Sequence, residues 1–532
     1  MKSWRLWLIT ASIFFTYSAL ILNIYNLQIK KGSIYAAKAA SQSRGVSYLN
    51  STRGTIFFQD KNGNEIPAAF NRQFPMIYAV PKEIEDPAEA AGNLAPILNL
   101  PPEQIQTKFS KPKDEYELLI SKASAEQVNK VRDLHLKGVY IDNEYLRFYP
   151  FAGMASHLLG FLAPTGDGGA LVGKYGVESY FDDPLVNNDL HLTIDRDIQL
   201  QAEKILKNLM DKYGAEGGTV IVQEPKTGKI LAMGSFPAFD PNDYAKSPMR
   251  NFLNPAIQSL YEPGSVFKVL TMAAGIDSGK ITPDTTFYDS GSLVLNGKTI
   301  KNWDGKAHGK ISMTGVIEQS VNTGAAFAER TTGHDIFYNY LLKFGLNDPT
   351  GISLPGELAG NLNNLKTSTR DINFATAAFG QGVSVTPLEL ISAISAIANG
   401  GTLMRPFIIS GTAPEESSQV ISKDTADKVA GMMVSAVDKA EIAKIDGYRI
   451  AGKTGTAQMA DLKRGGYGTD YIHSYVGFAP VSDPKFTILM KIDKPKGVGL
   501  AGSTVVPAFR ELAQFIINYY NISADRIDNS KP

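Results

Sequence analysis

Hydrophobic residues are concentrated first in one long run near the N-terminus. Two basic residues precede 24 uncharged residues, at positions 6–29, and two lysines follow them. A helix of this length spans a bilayer core of about 30 Å, and tyrosines and tryptophans near both ends are typical of the lipid–water interface. The pattern predicts a short cytoplasmic tail and an uncleaved membrane anchor. The alternative is a signal peptide that is cleaved near positions 36–40.

After the anchor, the pattern predicts a region that carries no catalytic residues. Asp60–Asn64 has the composition of a hairpin turn and follows a strand-like run. From 81 to 138, charged and apolar residues recur at helical spacing, and prolines interrupt them. We predict that this region is a structural pedestal.

From position 190 onward, short strands and longer helices are predicted. Residues 192–195 form a strand-like run, and an amphipathic helix at 196–213 follows, with Asp195 as its N-cap. Two more strands, at 218–222 and 229–233, flank a Pro-Lys-Thr-Gly turn and predict a β-hairpin. Antiparallel strands followed by helices indicate an α+β fold in which helices cover a sheet.

These changes of pattern divide the chain into regions. The segment Asp183–Asp189 is rich in turn residues, as domain boundaries are. We predict four regions: a cytoplasmic tail and transmembrane anchor at 1–30, a pedestal domain at 31–188, a catalytic domain at 189–520 and a polar tail at 521–532.

Composition excludes several classes of function. Lys+Arg and Asp+Glu are both 53, so the net charge favours neither nucleic acid nor an acidic partner. The chain has no cysteine, which excludes disulfides, thiolate catalysis and cysteine-based metal sites. Its six histidines are scattered, with no His-x-x-x-His pair, so neither a zinc site nor a Ser-His-Asp triad is indicated. We predict no metal and no cofactor.

The first candidate for chemistry is Ser265, which follows a Pro-Gly turn at the start of a predicted helix, 265–277. The unpaired N–H groups of a helix N-terminus stabilise negative charge, such as a developing oxyanion. Lys268 lies three residues on and therefore on the same face. Its apolar neighbours are expected to lower the pKa of its amine, and a neutral amine can accept the serine's proton. Alone, this spacing is also common for a helix cap beside a solvated lysine.

Two further motifs follow in the chain. Ser320 and Asn322 lie in a turn between predicted helices at 313–319 and 324–330, where both side chains can contact a substrate amide. Lys453-Thr454-Gly455 and Thr456 belong to a predicted edge strand. A lysine and two threonine hydroxyls can bind a carboxylate, and a glycine lets an extended substrate lie close to the strand.

Together the motifs are specific, although each is weak alone. Ser-x-x-Lys, Ser-x-Asn and Lys-Thr-Gly in this order are typical of penicillin-binding proteins and serine β-lactamases. Here the second motif is Ser-Val-Asn, which differs from the Ser-Asp-Asn of class A β-lactamases.

The chain resembles a class B penicillin-binding protein, the monofunctional peptidoglycan D,D-transpeptidases of cell division and elongation. The resemblance extends beyond the three motifs to Arg53-Gly54-Thr55-Ile56, Arg147-x-Tyr149-Pro150, Gly176-Val177-Glu178, Phe379-Gly380-Gln381-Gly382 and Gly477-Phe478-Ala479-Pro480. It implies a transpeptidase domain like that of serine β-lactamases, an N-terminal pedestal of the dimerisation type and one transmembrane helix. The link between Glu178 and Leu190 is short for the family, and no further enzymatic domain or C-terminal repeat is expected.

The resemblance also implies roles for the motif residues. Ser265 is the implied nucleophile toward a D-Ala-D-Ala stem peptide, and Lys268 is the implied base. Ser320 relays a proton, and Asn322 holds the acyl side chain. Lys453, Thr454, Gly455 and Thr456 bind the substrate carboxylate or that of an inhibiting β-lactam. The implied partners are peptidoglycan stem peptides, β-lactams as covalent inhibitors and a polytopic membrane glycosyltransferase. The implied location is the bacterial cytoplasmic membrane, with the catalytic domain outside.

Three alternatives share part of this chemistry. A D,D-carboxypeptidase would use water as the acceptor. A β-lactam-hydrolysing enzyme would need a base for water, and Glu357, four residues before Asn361, has a suggestive spacing. We nevertheless predict that Glu357 is structural, because Pro355-Gly356 indicates a turn. The third is a non-catalytic membrane sensor of β-lactams, which would need a signalling domain inside the membrane.

Overall fold

The structure is a computed structural model that describes residues 3–30, 53–111, 114–166, 170–460 and 466–526. In the first half of the chain the α-helices are Ser3–Tyr25, Pro87–Leu98, Pro102–Phe109, Ala125–Asp133, Ser156–Leu159, Gly176–Tyr180, Arg196–Tyr213 and Pro255–Gln258. In the second half they are Lys268–Asp277, Met313–Gln319, Asn322–Thr332, His334–Lys343, Asn363–Lys366, Asp371–Ala377, Pro387–Ala398, Lys423–Ala440 and Val505–Tyr519.

The β-strands also run through most of the chain. Up to residue 240 they are Ile56–Gln59, Glu65–Ala79, Glu117–Ile120, Val139–Phe148, Phe161–Pro164, Leu171–Lys174, Leu190–Asp195, Gly217–Gln223 and Ile230–Phe236. After it they are Thr286–Asp289, Ser292–Leu295, Lys298–Lys301, Gly309–Ser312, Thr402–Met404, Glu416–Gln419, Ala451–Ala460, Tyr467–Ala479 and Phe486–Asp493.

The predicted apolar run forms a helix near the N-terminus, Ser3–Tyr25. Its window Trp7–Gln28 is long and apolar enough to cross a membrane, and none of this window is buried against the described part of the protein. The region of the alternative cleavage site, 36–40, lies outside the described residues.

The described chain forms two compact units. The smaller comprises Met1–Gly54, Phe70–Phe148 and Leu162–Val172, and the larger comprises Thr55–Ala69, Tyr149–Phe161 and Gly173–Pro532. The predicted domain boundaries at 30, 188 and 520 stay predictions.

The smaller unit packs helices against a short antiparallel sheet. Residues 70–79 pair with Val139–Phe148, and Ile77–Ala79 also pair with Glu117–Ile120. Its core is formed by buried side chains that include Ile77, Leu94 and Phe109. The helical pattern predicted for 81–138 is therefore wrong at 117–120, because that strand is stabilised by a partner about 40 residues away that no local pattern reveals.

The larger unit is organised by a five-stranded antiparallel sheet. Its strand order is Ala451–Ala460, Tyr467–Ala479, Phe486–Asp493, Gly217–Gln223 and Ile230–Phe236. The strand with the Lys-Thr-Gly motif lies at one edge, as predicted, and the predicted hairpin forms the other. The sheet is therefore built from strands that are more than 200 residues apart in the chain.

Helices cover both faces of this sheet. One face packs against Arg196–Tyr213 and Val505–Tyr519, with Leu206, Ile488 and Phe509 in the shared core. The first of these helices has the predicted bounds, and the Asp195 carboxylate caps it by accepting from two backbone N–H groups. The helices Lys268–Asp277 and Pro387–Ala398, both buried, lie on the other side. The sheet edge and the buried helix 268–277 bring the first and third motifs together.

Candidate active site

Two glycines fix the turn that carries Ser265. Gly264 has a φ of +60° and its N–H donates to the Gly380 carbonyl at 3.1 Å. Gly380 has a φ of +77°, and a Cβ there would lie 2.3 Å from the Gly264 carbonyl oxygen. Only glycine allows two backbones to approach this closely with a left-handed φ. The predicted helix therefore begins as a 3-10 turn, Gly264–Phe267, and continues as the α-helix Lys268–Asp277.

Lys268 lies in the interior, as its apolar neighbours predict. Its side chain is fully buried, between Phe267 and Val269, which are also fully buried. Burial lowers the pKa of the Lys268 amine well below its ordinary value, and the charge of Lys453 lowers it further. The neutral form that a general base requires is thus favoured.

The amine of Lys268 is hydrogen-bonded to the second motif. Its nitrogen lies 2.5 Å from the Ser320 carbonyl oxygen, 3.1 Å from Ser320 Oγ and 2.8 Å from Asn322 Oδ1, and the neutral amine has two protons to donate among these oxygens. Ser320 has a left-handed φ of +55° at the end of the helix Met313–Gln319, so that its carbonyl and hydroxyl both face the amine. Within the described chain no hydrogen bond joins Lys268 to the Ser265 hydroxyl, so direct proton transfer between them stays a prediction.

The third motif completes a triangle around Ser320. Lys453 Nζ donates to Ser320 Oγ at 3.1 Å and to the Thr454 hydroxyl at 3.2 Å. Burial lowers the pKa of Lys453 to about 7. The Ser320 hydroxyl is therefore 3.1 Å from each of two buried lysine nitrogens, one from the first motif and one from the third.

Gly455 and Thr456 have contacts within the chain. A Cβ at Gly455 would lie 2.3 Å from Ser474 Oγ and 2.8 Å from the Pro263 carbonyl, so glycine makes room here for the turn before Ser265. The Thr456 hydroxyl accepts from the Ala501 N–H at 3.2 Å. The substrate contacts that the sequence predicts for both residues stay predictions.

Comparisons with known proteins show the family. The family described as "Penicillin binding protein transpeptidase domain" matches residues 218–514, and "Penicillin-binding Protein dimerisation domain" matches residues 48–229. Stage V sporulation protein D of Bacillus subtilis is 33% identical over 502 residues, which cover 85% of this chain and 76% of that protein. The chain belongs to the class B penicillin-binding proteins.

Two further matches cover nearly the whole of this penicillin-binding protein. Peptidoglycan D,D-transpeptidase FtsI of Escherichia coli is 27% identical over 563 residues, which cover 99% of this chain and 93% of that one. The crystal structure of a peptidoglycan synthetase from Bifidobacterium adolescentis has a TM-score of 0.67 and 26% identity, and the match covers 91% of this chain and 98% of that one. The predicted family, fold class and enzyme class, a penicillin-binding transpeptidase, are confirmed.

Two polar residues that support the second motif were missed by sequence reasoning. Val321 precedes the helix Asn322–Thr332 but has no side-chain oxygen to cap it. Asn302 supplies one, accepting from the N–H groups of Asn322 and Thr323 at 3.1 and 3.2 Å. Asn302 is in turn held by Asp289, whose Oδ2 accepts from its amide at 2.7 Å. No spacing rule marks such a cap, because it comes from 20 residues upstream.

Glu357 has the structural role that the sequence predicts. Its Oε1 accepts from the Thr350 N–H at 2.9 Å and its Oε2 from the Gly351 N–H at 3.0 Å. The carboxylate therefore closes a turn of its own loop. This use leaves no support for Glu357 as the base of a β-lactam-hydrolysing enzyme.

Proposed function

We propose that this protein is a peptidoglycan D,D-transpeptidase that forms peptide cross-links through an acyl-enzyme on Ser265. The observation that carries the proposal is the Ser320 hydroxyl, which lies 3.1 Å from both Lys268 Nζ and Lys453 Nζ. A neutral buried amine, a shared hydroxyl and a second lysine supply a base, a proton relay and an anion site for acyl transfer.

Acylation begins when the Ser265 hydroxyl attacks the carbonyl carbon of the penultimate D-Ala. Its proton passes to the neutral amine of Lys268, which exchanges one of its present hydrogen bonds for this contact. The backbone N–H groups of Ser265 and Thr456 stabilise the oxyanion, since both are donors at the turn and the strand edge that meet here. Gly264 lies against this edge, because a Cβ there would be 3.3 Å from the Thr456 carbonyl.

The leaving group needs a proton before the peptide bond breaks. The Ser320 hydroxyl, which accepts from Lys268, can donate to the D-Ala nitrogen and be reprotonated by the amine. Free D-Ala departs, and an ester joins Ser265 to the stem peptide. The amino group of a neighbouring stem then attacks this ester, and the cross-link forms as Ser265 regains its proton.

Lys453 and the two threonines bind the terminal carboxylate. The Lys453 pKa of about 7 leaves its amine partly neutral at neutral pH. A substrate carboxylate beside it raises this pKa again, so that binding and charging of Lys453 are coupled. A β-lactam presents a carboxylate and a strained amide in the same arrangement and acylates Ser265.

The first test labels the full chain in detergent with a fluorescent penicillin, beside Ser265→Ala. Label that is absent from the variant and lasts for hours on the wild type supports the proposal, whereas label lost within seconds supports a hydrolase. A donor peptide ending in D-Ala-D-Ala is then incubated with an amine acceptor. Products joined to the amine identify a transpeptidase, and hydrolysed products alone would identify a D,D-carboxypeptidase.

We also propose that the helix Ser3–Tyr25 anchors the protein in the cytoplasmic membrane, with the catalytic domain outside. The chain lacks cysteine, so one introduced cysteine can be labelled selectively. Lys207 is suitable, because its side chain is 51% exposed. Lys207→Cys in intact spheroplasts should react with a membrane-impermeant maleimide. Protection until the cells are lysed would contradict this orientation.

We propose a polytopic membrane glycosyltransferase as the partner. Cross-linking joins stems on glycan strands, so an enzyme that extends these strands must work nearby. None of the window Trp7–Gln28 is buried in the described structure, so the apolar helix offers a surface for another membrane protein. Replacing Trp7–Gln28 with an unrelated transmembrane segment should abolish copurification of the partner while penicillin labelling is retained. Unchanged copurification would place the contact elsewhere.

A further inference from the structure

A series of hydrogen bonds leads to the Thr456 side chain from residues outside its own strand. The Thr456 hydroxyl accepts from the Ala501 N–H at 3.2 Å. A hydroxyl has one proton, and no acceptor for it lies within hydrogen-bonding distance in the described chain. Because a backbone N–H occupies an oxygen lone pair, the proton is directed away from Ala501 and remains available to an external acceptor.

Ala501 is itself held by Thr504 in a single tight turn. The Thr504 N–H and the Thr504 hydroxyl both donate to the Ala501 carbonyl, at 3.1 and 3.2 Å. Both residues are buried, with Thr504 only 1% exposed. The position of the Ala501 N–H therefore depends on the Thr504 side chain.

The next member of the series is His473. Its Nδ1 lies 3.0 Å from the Thr504 hydroxyl oxygen. Because the Thr504 hydroxyl donates to the Ala501 carbonyl, we assign the imidazole proton to Nδ1, which donates to that hydroxyl and leaves Nε2 without a proton. Nε2 is buried and lacks a hydrogen-bond partner in the described structure, as suits an unprotonated nitrogen.

The register of the sheet explains why His473 and Thr456 serve one purpose. They are directly paired on adjacent antiparallel strands, so their side chains project from the same face. Burial lowers the pKa of His473 to about 4, which keeps the ring neutral at ordinary pH. The carbonyl and the N–H of Ala501 belong to different peptide groups, so the series acts by fixing the position of Ala501 and hence of the N–H that Thr456 accepts.

We propose that His473 and Thr504 are positioning residues that, through Ala501, orient the Thr456 hydroxyl to donate to the substrate carboxylate. The inference rests on the proposed function, because it assigns the carboxylate of a D-Ala-D-Ala peptide or a β-lactam to Thr456. It adds a supporting layer that lies outside the three motifs. The series acts on recognition of the carboxylate, since in the described chain no hydrogen bond joins the side chains of His473, Thr504 or Thr456 to Ser265 or Lys268.

The test compares Thr504→Val with Thr504→Ser in the full chain in detergent. Each protein is acylated with benzylpenicillin, which has a free carboxylate, and with its methyl ester, which does not. The readout is the ratio of the two second-order acylation rate constants. A lost hydrogen bond to a charged group lowers affinity roughly tenfold, so this ratio should fall by about that factor in the valine variant. Serine retains the hydroxyl and should restore the ratio.

A second readout separates the affinity of the noncovalent complex from the rate constant of the acylation step. We expect a weaker noncovalent complex with benzylpenicillin, while the rate constant of the acylation step changes little. An unchanged ratio in folded Thr504→Val would overturn the proposal. An equal fall of the acylation rate constants with benzylpenicillin and with its methyl ester would also overturn it, because residues with only a structural role would affect acid and ester alike.

A second pair of variants keeps the test valid if Thr504→Val does not fold. In His473→Asn the amide can still donate to the Thr504 hydroxyl, whereas His473→Leu has no donor. The ratio should be kept by asparagine and lost by leucine, and equal ratios would overturn the proposal. Wild-type protein that benzylpenicillin fails to acylate at Ser265 would overturn the proposed function and this inference with it. Normal wild-type acylation with a ratio insensitive to these variants overturns the inference alone.

Discussion

The role of Lys268 as the base can be tested by adding one charge beside it. Asn322 Oδ1 accepts from Lys268 Nζ at 2.8 Å, so Asn322→Asp places a carboxylate against the amine with little change of shape. A negative charge is favourable at the first residue of a helix, which Asn322 is, while the loss of the Asn322 amide's donation to the Lys301 carbonyl at 2.9 Å is shared by Asn322→Asp and Asn322→Ala.

The expected size follows from this distance. At an effective dielectric constant of about 20, two opposite unit charges separated by 2.8 Å attract with about 6 kcal/mol. This attraction favours the protonated amine and raises the pKa of Lys268, although the desolvation of the new carboxylate reduces the gain. The rise opposes the lowering that burial causes, so a larger share of the amine is protonated at a given pH.

The assay is the acylation rate constant with a fluorescent penicillin between pH 6 and 9.5. If only neutral Lys268 accepts the Ser265 proton, the rate falls about tenfold for each unit by which the pKa exceeds the pH. Asn322→Asp should therefore be slowed by orders of magnitude at pH 7 and should recover steadily with rising pH. Asn322→Ala removes the same hydrogen bond without adding a charge and serves as the control.

The pH profiles of the aspartate and alanine variants together decide whether Lys268 is the base. The alanine variant should lose far less activity at pH 7, and its profile should not move to higher pH. If the aspartate and alanine variants have parallel profiles, the charge of Lys268 does not control acylation. Lys268 would then not be the base, and the proton of Ser265 would have to pass to another group.

Two further predictions concern the scaffold of the site. Burial raises the pKa of Glu203 from 4.5 to about 7, so the folded protein binds a proton that the unfolded chain releases, and this stabilisation is lost as the pH rises through 7. Glu203→Gln, which can still accept from the Ala155 N–H, should thus gain about 3 kcal/mol of unfolding free energy relative to wild type between pH 4.5 and 7, and a constant difference in urea unfolding would contradict this. Gly380→Ala should abolish penicillin labelling, because its Cβ would clash with Gly264. Gly345→Ala, with a φ of +76° and its nearest atom at 3.5 Å, should keep labelling, and equal loss would mean that backbone strain alone is responsible.

Several features of this protein could be read from the sequence because they depend on neighbouring residues. The apolar run near the N-terminus predicts a helix by its length alone. Asp195 and the amphipathic pattern after it predict the helix Arg196–Tyr213 at its observed bounds, since capping and helical periodicity are local. The three motifs and their order were also sufficient to predict the family.

Other features were decided by tertiary structure, because they join residues that are distant in the chain. Lys268 was predicted to face Ser265, yet its amine bonds to Ser320 and Asn322, more than 50 residues away. The strand Glu117–Ile120 was missed, because pairing with another strand stabilises it more than its own composition does.

The side chains that support the site were also decided by tertiary structure. Asn302 caps a helix 20 residues downstream. His473 lies beside Thr504 because the helix Val505–Tyr519 packs against the strand that carries His473. A buried polar group must find a hydrogen-bond partner, but the sequence does not say which one. The sequence therefore determined which residues carry the chemistry, and the packing of sheet and helices decided which groups hold them in place.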